Sequence, residues 1–149
     1  MKIYIASSWK NENVVFHLAK IVREWGYDVD CFSDISTGRY VFHFSEIANA
    51  DELDAISFLK DSRSQRAFTE DKKWLDWCDC VILVLPAGKS AHLEAGYVKG
   101  QNKKLVILQL AGFPKGEFDV MYGFADLITN ALGRLRTWLV DYAKREEKK

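Results

Sequence analysis

The sequence predicts an α/β fold, a flavodoxin- or Rossmann-like doubly wound sheet of about five mostly parallel strands with helices on both faces. Strand-like and helix-like segments alternate along all 149 residues. The run from Cys80 to Leu85 is continuously apolar and rich in β-branched residues, which is typical of a strand buried on both faces of a parallel sheet. Near the start, a helical pattern separates two strand-like segments, and a crossover of that length makes the two strands parallel.

Composition indicates one domain, residues 1–149, in which 48% hydrophobic residues suffice for a full core. The 21 basic and 21 acidic residues cancel without forming a basic stripe, so nucleic acid polymers are not expected as partners. No apolar run approaches the ~20 residues of a membrane span, and the opening MKIYIASS is not typical of a signal peptide. We therefore expect a cytoplasmic protein without a membrane partner. The cysteine and histidine spacings do not match a metal site.

The first half of the chain contains two predicted strands, over Lys2–Ala6 and Tyr27–Phe32. Apolar residues at helical spacing predict a helix between them, namely Val14, Leu18, Ile21, Val22 and Trp25. Residues 33–50 are irregular and rich in aromatic side chains. Such a segment forms either a lid or wall of a pocket, or a small satellite core beneath a loop.

The second half continues the alternation on either side of the Cys80–Leu85 strand. Before that strand we predict a short helix over Asp51–Lys60, a polar joint over Ser62–Arg66, and a helix over Ala67–Asp79 with Phe68 and Leu75 facing inward. After it we predict a helix capped by Ser90, a strand over Leu105–Leu110 and a short aromatic segment over Phe118–Phe124. The chain then ends with an edge strand over Leu127–Thr129, a closing helix over Leu132–Tyr142 and a frayed tail over residues 144–149. No internal repeat or linker interrupts this order.

Polar groups follow two of the predicted central strands. Ser7 and Ser8 follow the first strand, where they either cap the next helix or bind an anion or hydroxyl group. Neither the GxGxxG nor the GxxxxGK[ST] spacing is present, so a dinucleotide fold and a P-loop are not supported. Glu94 follows the Cys80–Leu85 strand, where open α/β sheets bind ligands. The same position also suits a carboxylate that only favours the positive end of a helix dipole.

Three segments of the chain resemble the nucleoside 2-deoxyribosyltransferase superfamily, which includes nucleoside 5′-monophosphate N-glycosidases. They are MKIYIASS, the pair Asp71 and Asp79 leading into VILVLP, and HLEAGYVKGQNKKLVIL. The resemblance covers most of the chain. It implies an enzyme that cleaves the N-glycosidic bond of a (2′-deoxy)nucleoside or nucleoside 5′-monophosphate and passes the sugar to another base or to water. It also implies that no metal or organic cofactor is needed.

The resemblance assigns roles to individual residues. Glu94 corresponds to the nucleophile that attacks C1′, and Tyr4 to the residue that holds and tunes this carboxylate. Asp71 corresponds to the acid that contacts the base and helps to move its proton. The segment FDVMYGFAD resembles one that reaches the active site of a neighbouring subunit, which would bring Asp119 and Met121 to the sugar. From the residues alone, the apolar side chains of Phe118–Phe124 either lie in an interface or fold back onto their own core. The resemblance favours the interface and implies a homo-oligomer, a dimer at the least.

The loop before Glu94 departs from the nucleoside transferases. Those enzymes place a second acid six residues before the nucleophile, where this chain has Gly88, followed by Lys89 and Ser90. Relatives that hydrolyse 5′-monophosphates use a serine in this loop and hydroxyl groups after the first strand to hold phosphate. The expected substrate-binding residues are Ser7, Ser8, Trp9, Gly88, Lys89, Ser90, Asp119 and Met121.

Two other functions remain open on the same scaffold. One is a nucleotide-binding sensor that retains Glu94 but cleaves slowly or not at all. The other is a TIR-like NAD glycohydrolase, which also uses a glutamate in a flavodoxin-like sheet. A plain interaction module would share the fold as well, and the fold alone does not separate these functions.

Overall fold

The computed structural model describes residues 1–146 and contains five strands in one parallel sheet. The strands are β1 (Lys2–Ala6), β2 (Asp28–Cys31), β3 (Cys80–Val84), β4 (Lys104–Leu108) and β5 (Leu127–Thr129). Their order across the sheet is β2-β1-β3-β4-β5, and every neighbouring pair is parallel. The predicted α/β class is therefore confirmed, and β1 and β5 have the predicted bounds.

Helices cover both faces of the sheet. They are α1 (Glu12–Glu24), α2 (Ala55–Lys60), α3 (Ser62–Trp77), α4 (Lys89–Gly100) and α5 (Leu132–Glu146). Short 3-10 segments lie at Trp9–Asn11, Ile35–Thr37, Phe44–Glu46, Ala50–Glu52 and Val120–Phe124. Within residues 1–146, no helix has the length and apolar character that crossing a membrane requires.

Two apolar layers hold the helices against the sheet because successive residues of each strand point to opposite faces. On β1, Ile3 and Ile5 pack with buried residues of α1 and α5. Tyr4 and Ala6 point to the other face and pack with buried residues of α3 and α4. The central strand β3 is buried along its whole length, which explains its unbroken apolar sequence.

The buried stripe of α1 agrees only in part with the apolar residues that predicted the helix. Val15, Leu18 and Val22 face the core, whereas Val14 is 43% exposed. Two adjacent valines satisfy the helical spacing almost equally well, and only the packing against the sheet distinguishes them. Of the residues whose spacing predicted the helix, Leu18 and Val22 are buried and Val14 is not.

The helix α3 begins earlier than predicted, so the proposed polar joint over Ser62–Arg66 is wrong. The Asp61 carboxylate accepts a hydrogen bond from the backbone N–H of Arg63 and caps the helix at its true start. Leu75 is buried as predicted, but Phe68 is 66% exposed. The prediction for Phe68 is therefore also wrong.

The start of α4 and the end of α5 correct two further predictions. Gly88 occupies the cap position of α4, so Ser90 lies inside the first turn and does not cap the helix. The helix α5 runs to Glu146, so residues 144–146 are helical where fraying was predicted. The rest of the predicted frayed tail, residues 147–149, lies outside the described residues.

Candidate active site

A cavity of about 550 Å³ opens at the carboxyl ends of β1 and β3. The chain runs outward in opposite directions from these two neighbouring strands, to β2 on one side and to β4 and β5 on the other. Such a switch point leaves a crevice in which open α/β sheets bind ligands. Nine residues predicted for the site line this cavity, namely Tyr4, Ser7, Ser8, Trp9, Asp71, Gly88, Lys89, Ser90 and Glu94.

Ser7 and Ser8, which follow β1, stabilise the loop at the opening of the cavity through hydrogen bonds. Ser7 donates its hydroxyl hydrogen to the backbone oxygen of Val84 (2.8 Å) and accepts a hydrogen bond from the Asn11 side chain (3.0 Å). Ser8 caps the 3-10 segment by accepting from the backbone N–H of Lys10 (3.3 Å). Both serines therefore cap or brace the loop, and the hydroxyl hydrogen of Ser8 can still be donated toward the cavity.

The N-terminus of α4 forms the opposite wall. Gly88, Lys89 and Ser90 line the cavity there. The first backbone N–H groups of a helix lack intrahelical partners, and the helix dipole adds a partial positive charge. Lys89 adds a full positive charge, and Ser90 adds a hydroxyl group. This wall therefore suits an anionic group such as phosphate.

Glu94 lies one turn further along α4 and faces the same cavity. Burial raises the pKa of its carboxyl group to about 8, and the negative charge of Asp71 acts in the same direction. The guanidinium of Arg39 and a hydrogen bond from Tyr4 oppose this rise. Glu94 is therefore a carboxyl group whose ionisation depends on its immediate neighbours.

Tyr4 is a buried neutral hydrogen-bond donor at this site. Burial raises the pKa of its phenol well above the usual value, and the negative charge of Glu94 raises it further. The hydroxyl group thus keeps its proton at physiological pH. It is suited to hold the carboxylate form of Glu94.

Arg39 and Asp30 belong to the same cluster, although neither was predicted for the site from the sequence. The Arg39 guanidinium donates to the carboxylates of Asp30 and Asp71 and to the hydroxyl of Tyr4 (3.3 Å). Asp30 is buried, and this burial raises its pKa to about 6 against the opposing effect of Arg39. A signal was present in the sequence: a charged residue in a strand needs a partner, and Arg39 is the only Lys or Arg in residues 33–50.

Asp71 connects this cluster to the open cavity. Its side chain is 40% exposed and pairs with Arg39. Burial of the remainder raises the pKa of its carboxyl group, while the Arg39 charge acts to lower it. Asp71 thus lies between a buried cation and the open cavity, a position that suits a group exchanging a proton with a bound molecule.

The irregular segment over residues 33–50 supplies an aromatic wall. Tyr40, Val41 and Phe42 line the cavity, together with Phe32 and Trp9. The Trp9 ring contacts Phe32 edge-on, with ring centroids 4.6 Å apart. Of the two predicted alternatives for this segment, a pocket wall is the one observed. Flat aromatic surfaces of this kind stack well on planar ligands.

Comparison with solved structures identifies this architecture. A CMP N-glycosidase of Clostridium botulinum, BcmB, superposes with a TM-score of 0.55 at 15% identity, covering 93% of this chain and 98% of that one. A 2-deoxyribosyltransferase from Bacillus psychrosaccharolyticus superposes with a TM-score of 0.60 at 17% identity, covering 91% and 90%. The chain shares the α/β fold of these two proteins. No protein-family model and no curated protein sequence matches the chain.

The sequence resemblance is thereby confirmed at the level of the fold. At these identities the likeness concerns the backbone arrangement, and the chemistry of the site depends on its own residues. In this chain, Tyr4 of β1 and Glu94 of α4 line the same cavity. A cavity with several buried ionisable groups and an aromatic wall has the properties of an active site.

Two predicted substrate-binding residues, Asp119 and Met121, do not line this cavity. They lie on the 3-10 segment Val120–Phe124 and its cap, where the Asp119 carboxylate accepts from the backbone N–H of Met121 (2.7 Å). Phe118 and Val120 beside them are 81% and 88% exposed. In the single chain, Tyr122 of the same segment packs against the core, whereas Phe118 and Val120 remain exposed.

Proposed function

We propose that the protein cleaves the N-glycosidic bond of a (2′-deoxy)nucleoside or nucleoside 5′-monophosphate, with Glu94 as the nucleophile. The observation that carries this proposal is the convergence of Glu94, Tyr4 and Asp71 in one cavity at the switch point of the sheet. The names of the two solved structures, a CMP N-glycosidase and a 2-deoxyribosyltransferase, support the same reaction class.

Each of the three residues has one task in the proposed reaction. The Glu94 carboxylate attacks C1′ while the bond from C1′ to the base breaks, and the base leaves with the electron pair. Asp71 in its acid form gives the base a proton. The Tyr4 hydroxyl donates to Glu94 and keeps the carboxylate oriented. Water or a second base then attacks C1′ of the glycosyl ester and gives a proton to the Asp71 carboxylate, while the ester bond breaks and frees the carboxylate of Glu94.

Release of free base is the direct test of this proposal. The protein is incubated with a panel of nucleosides, nucleoside 5′-monophosphates and NAD, and chromatography measures the free base. A second base added to the mixture distinguishes transfer from hydrolysis, because only transfer makes a new nucleoside. Release from nucleosides or monophosphates is expected. Cleavage of NAD alone, or no cleavage of any compound, would contradict the proposal.

We further propose that a 5′-monophosphate is preferred over the free nucleoside, because Lys89 and the N-terminus of α4 line the cavity.

Lys89→Ala should lower kcat/KM for the monophosphate by about tenfold, because one charge-assisted hydrogen bond is lost. The kcat/KM for the nucleoside should remain almost unchanged. Steady-state kinetics with both substrates measure this difference. Lys144→Ala, which removes an exposed lysine from α5, is the matched control. Equal kcat/KM values for nucleoside and monophosphate in the wild-type protein would contradict the preference.

We also propose that the chain forms a homo-oligomer with shared sites, in which Asp119 and Met121 reach the cavity of a neighbouring subunit. The exposed apolar side chains of Phe118, Val120, Met121 and Phe124 support an interface at this segment, because one exposed patch of this character is unfavourable in water. A two-fold pair of such contacts is the usual arrangement in homodimers.

Mixing two inactive variants tests the shared site. Glu94→Gln and Asp119→Ala should each be inactive alone, and mixed oligomers should regain activity because some cavities then draw both intact residues from different chains. A mixture of Glu94→Gln with Tyr4→Phe is the matched control and should remain inactive, since both residues come from the same chain. A monomer at working concentration would contradict the proposal. So would a Glu94→Gln and Asp119→Ala mixture that remains inactive despite demonstrated subunit exchange.

A further inference from the structure

We propose that Arg39 is a positioning residue that orders Tyr4 and Asp71 around Glu94 and sets the charge balance of the cavity, a role that rests on the proposed function. The side chain of Arg39 is only 1% exposed. A buried guanidinium is costly unless its donors are paired. Its position at the base of the cavity therefore requires an explanation.

Arg39 joins three elements that are distant in sequence. Its guanidinium donates to Asp30 on β2, to Tyr4 on β1 and to Asp71 on α3. The five N–H groups of a guanidinium form a rigid fork, so one side chain orients all three partners at once. Two of these partners, Tyr4 and Asp71, are the residues that the proposed reaction uses beside Glu94. A change at Arg39 therefore displaces both.

The same side chain anchors the aromatic wall. Residues 38–43 have no regular secondary structure, and Tyr40, Val41 and Phe42 line the cavity directly after Arg39. Without helical or sheet hydrogen bonds, this stretch depends on side-chain contacts for its position. Arg39 ties it to the sheet through Asp30. Loss of Arg39 should thus raise KM as well as lower kcat.

The charge balance of the cavity also depends on Arg39. The ionisable groups that face it or its partners are Tyr4, Arg23, Asp30, Glu70, Asp71 and Glu94. Burial raises the pKa of Asp30, Asp71 and Glu94, and Arg39 opposes the rise for each of them. One guanidinium thus counters three carboxyl groups, of which Asp71 and Glu94 line the cavity. Without it, Glu94 would become still harder to ionise.

The test compares Arg39→Gln and Arg39→Lys with the wild-type protein. Arg39→Gln should lower kcat by about a hundredfold, because displaced reacting groups cost rates of that size. Because the proposed reaction needs Glu94 ionised and Asp71 protonated, the pH profile of the wild-type kcat/KM should be bell-shaped, with the limb that Glu94 sets near pH 8. This limb should move upward by about one pH unit in Arg39→Gln, which has lost the nearby cation. An unchanged kcat and an unchanged limb in this variant would overturn the proposal.

Arg39→Lys keeps the positive charge but loses the planar set of guanidinium N–H donors. It should leave the limb near pH 8 at its wild-type position while kcat remains reduced by about tenfold. If Arg39→Gln does not fold, Arg39→Lys decides the question, and a wild-type kcat in this variant would overturn the proposal. Arg23→Gln is the matched control. It removes an arginine that donates to Asp34 and to the backbone oxygen of Val29 (2.7 Å), so it should lower stability without moving the limb.

A measurement that needs no turnover separates this inference from the proposed function. Carbon-13 NMR of the labelled protein follows the titration of the Glu94 carboxyl group, which is assigned with Glu94→Gln. An upward move of this titration in Arg39→Gln is expected, and an unmoved titration would overturn the role of Arg39. A wild-type protein that titrates as expected but releases no base would instead refute the proposed function.

Discussion

Glu94→Gln is expected to release free base at no more than about a thousandth of the wild-type rate, as the loss of a catalytic nucleophile does in other enzymes. The amide neither attacks C1′ nor stabilises positive charge on the sugar. Its shape matches the carboxyl group, so the packing of α4 should be unchanged. Initial rates of base release measure the effect, and circular dichroism confirms the fold.

The matched control is Glu24→Gln, which makes the same change at an exposed position at the end of α1. This variant should retain the wild-type rate. A folded Glu94→Gln protein that keeps more than a few per cent of the activity would show that Glu94 is not the nucleophile.

The same substitution should make the protein more stable than the wild type at alkaline pH. The pKa of Glu94 is about 8 in the folded protein against an ordinary value of 4.5. Between these two pH values the folded protein keeps the proton on Glu94 and the unfolded chain has lost it. The free energy of unfolding of the wild type is therefore highest, as far as Glu94 contributes, below about pH 4.5 and falls as the pH rises toward 8. Glutamine stays neutral at every pH. The advantage of Glu94→Gln should therefore grow across this range, by an amount on the order of a few kcal/mol.

Urea unfolding of both proteins at pH 5, 7 and 9 measures this difference. The gain in the free energy of unfolding of Glu94→Gln over the wild type should be small at pH 5 and level off above pH 8. Taking the difference between the two proteins removes the contributions of the other ionisable groups, as far as these do not interact with Glu94. A difference that is constant with pH would show that Glu94 is not a buried carboxyl group.

The parts of the fold that could be predicted are those fixed by local patterns. The strands β1 and β5 have bounds that the sequence already marked, because polar residues flank short apolar runs. Once β1 and β3 are central and parallel, their carboxyl ends meet at the switch point, and Tyr4 and Glu94 must lie near each other. That reasoning needs no knowledge of side-chain contacts.

The parts that could not be predicted depend on tertiary packing. Either Val14 or Val15 fits the period of α1, and the contact with the sheet selects Val15. The pair Arg39 and Asp30 joins an irregular loop to an edge strand, and no periodicity marks such a contact. The early start of α3 depends on one capping carboxylate, that of Asp61, among several polar residues that suited a loop equally well.

The stereochemistry of sugar transfer tests the central claim most directly. The reaction is run with a second base or methanol as the acceptor, and proton NMR reads the anomeric configuration of the first product. A covalent Glu94 intermediate requires two displacements at C1′, so the product should retain the β configuration of the substrate. A product of inverted, α configuration would contradict the account, because it would show that the acceptor displaced the base directly and that Glu94 never bonded to the sugar.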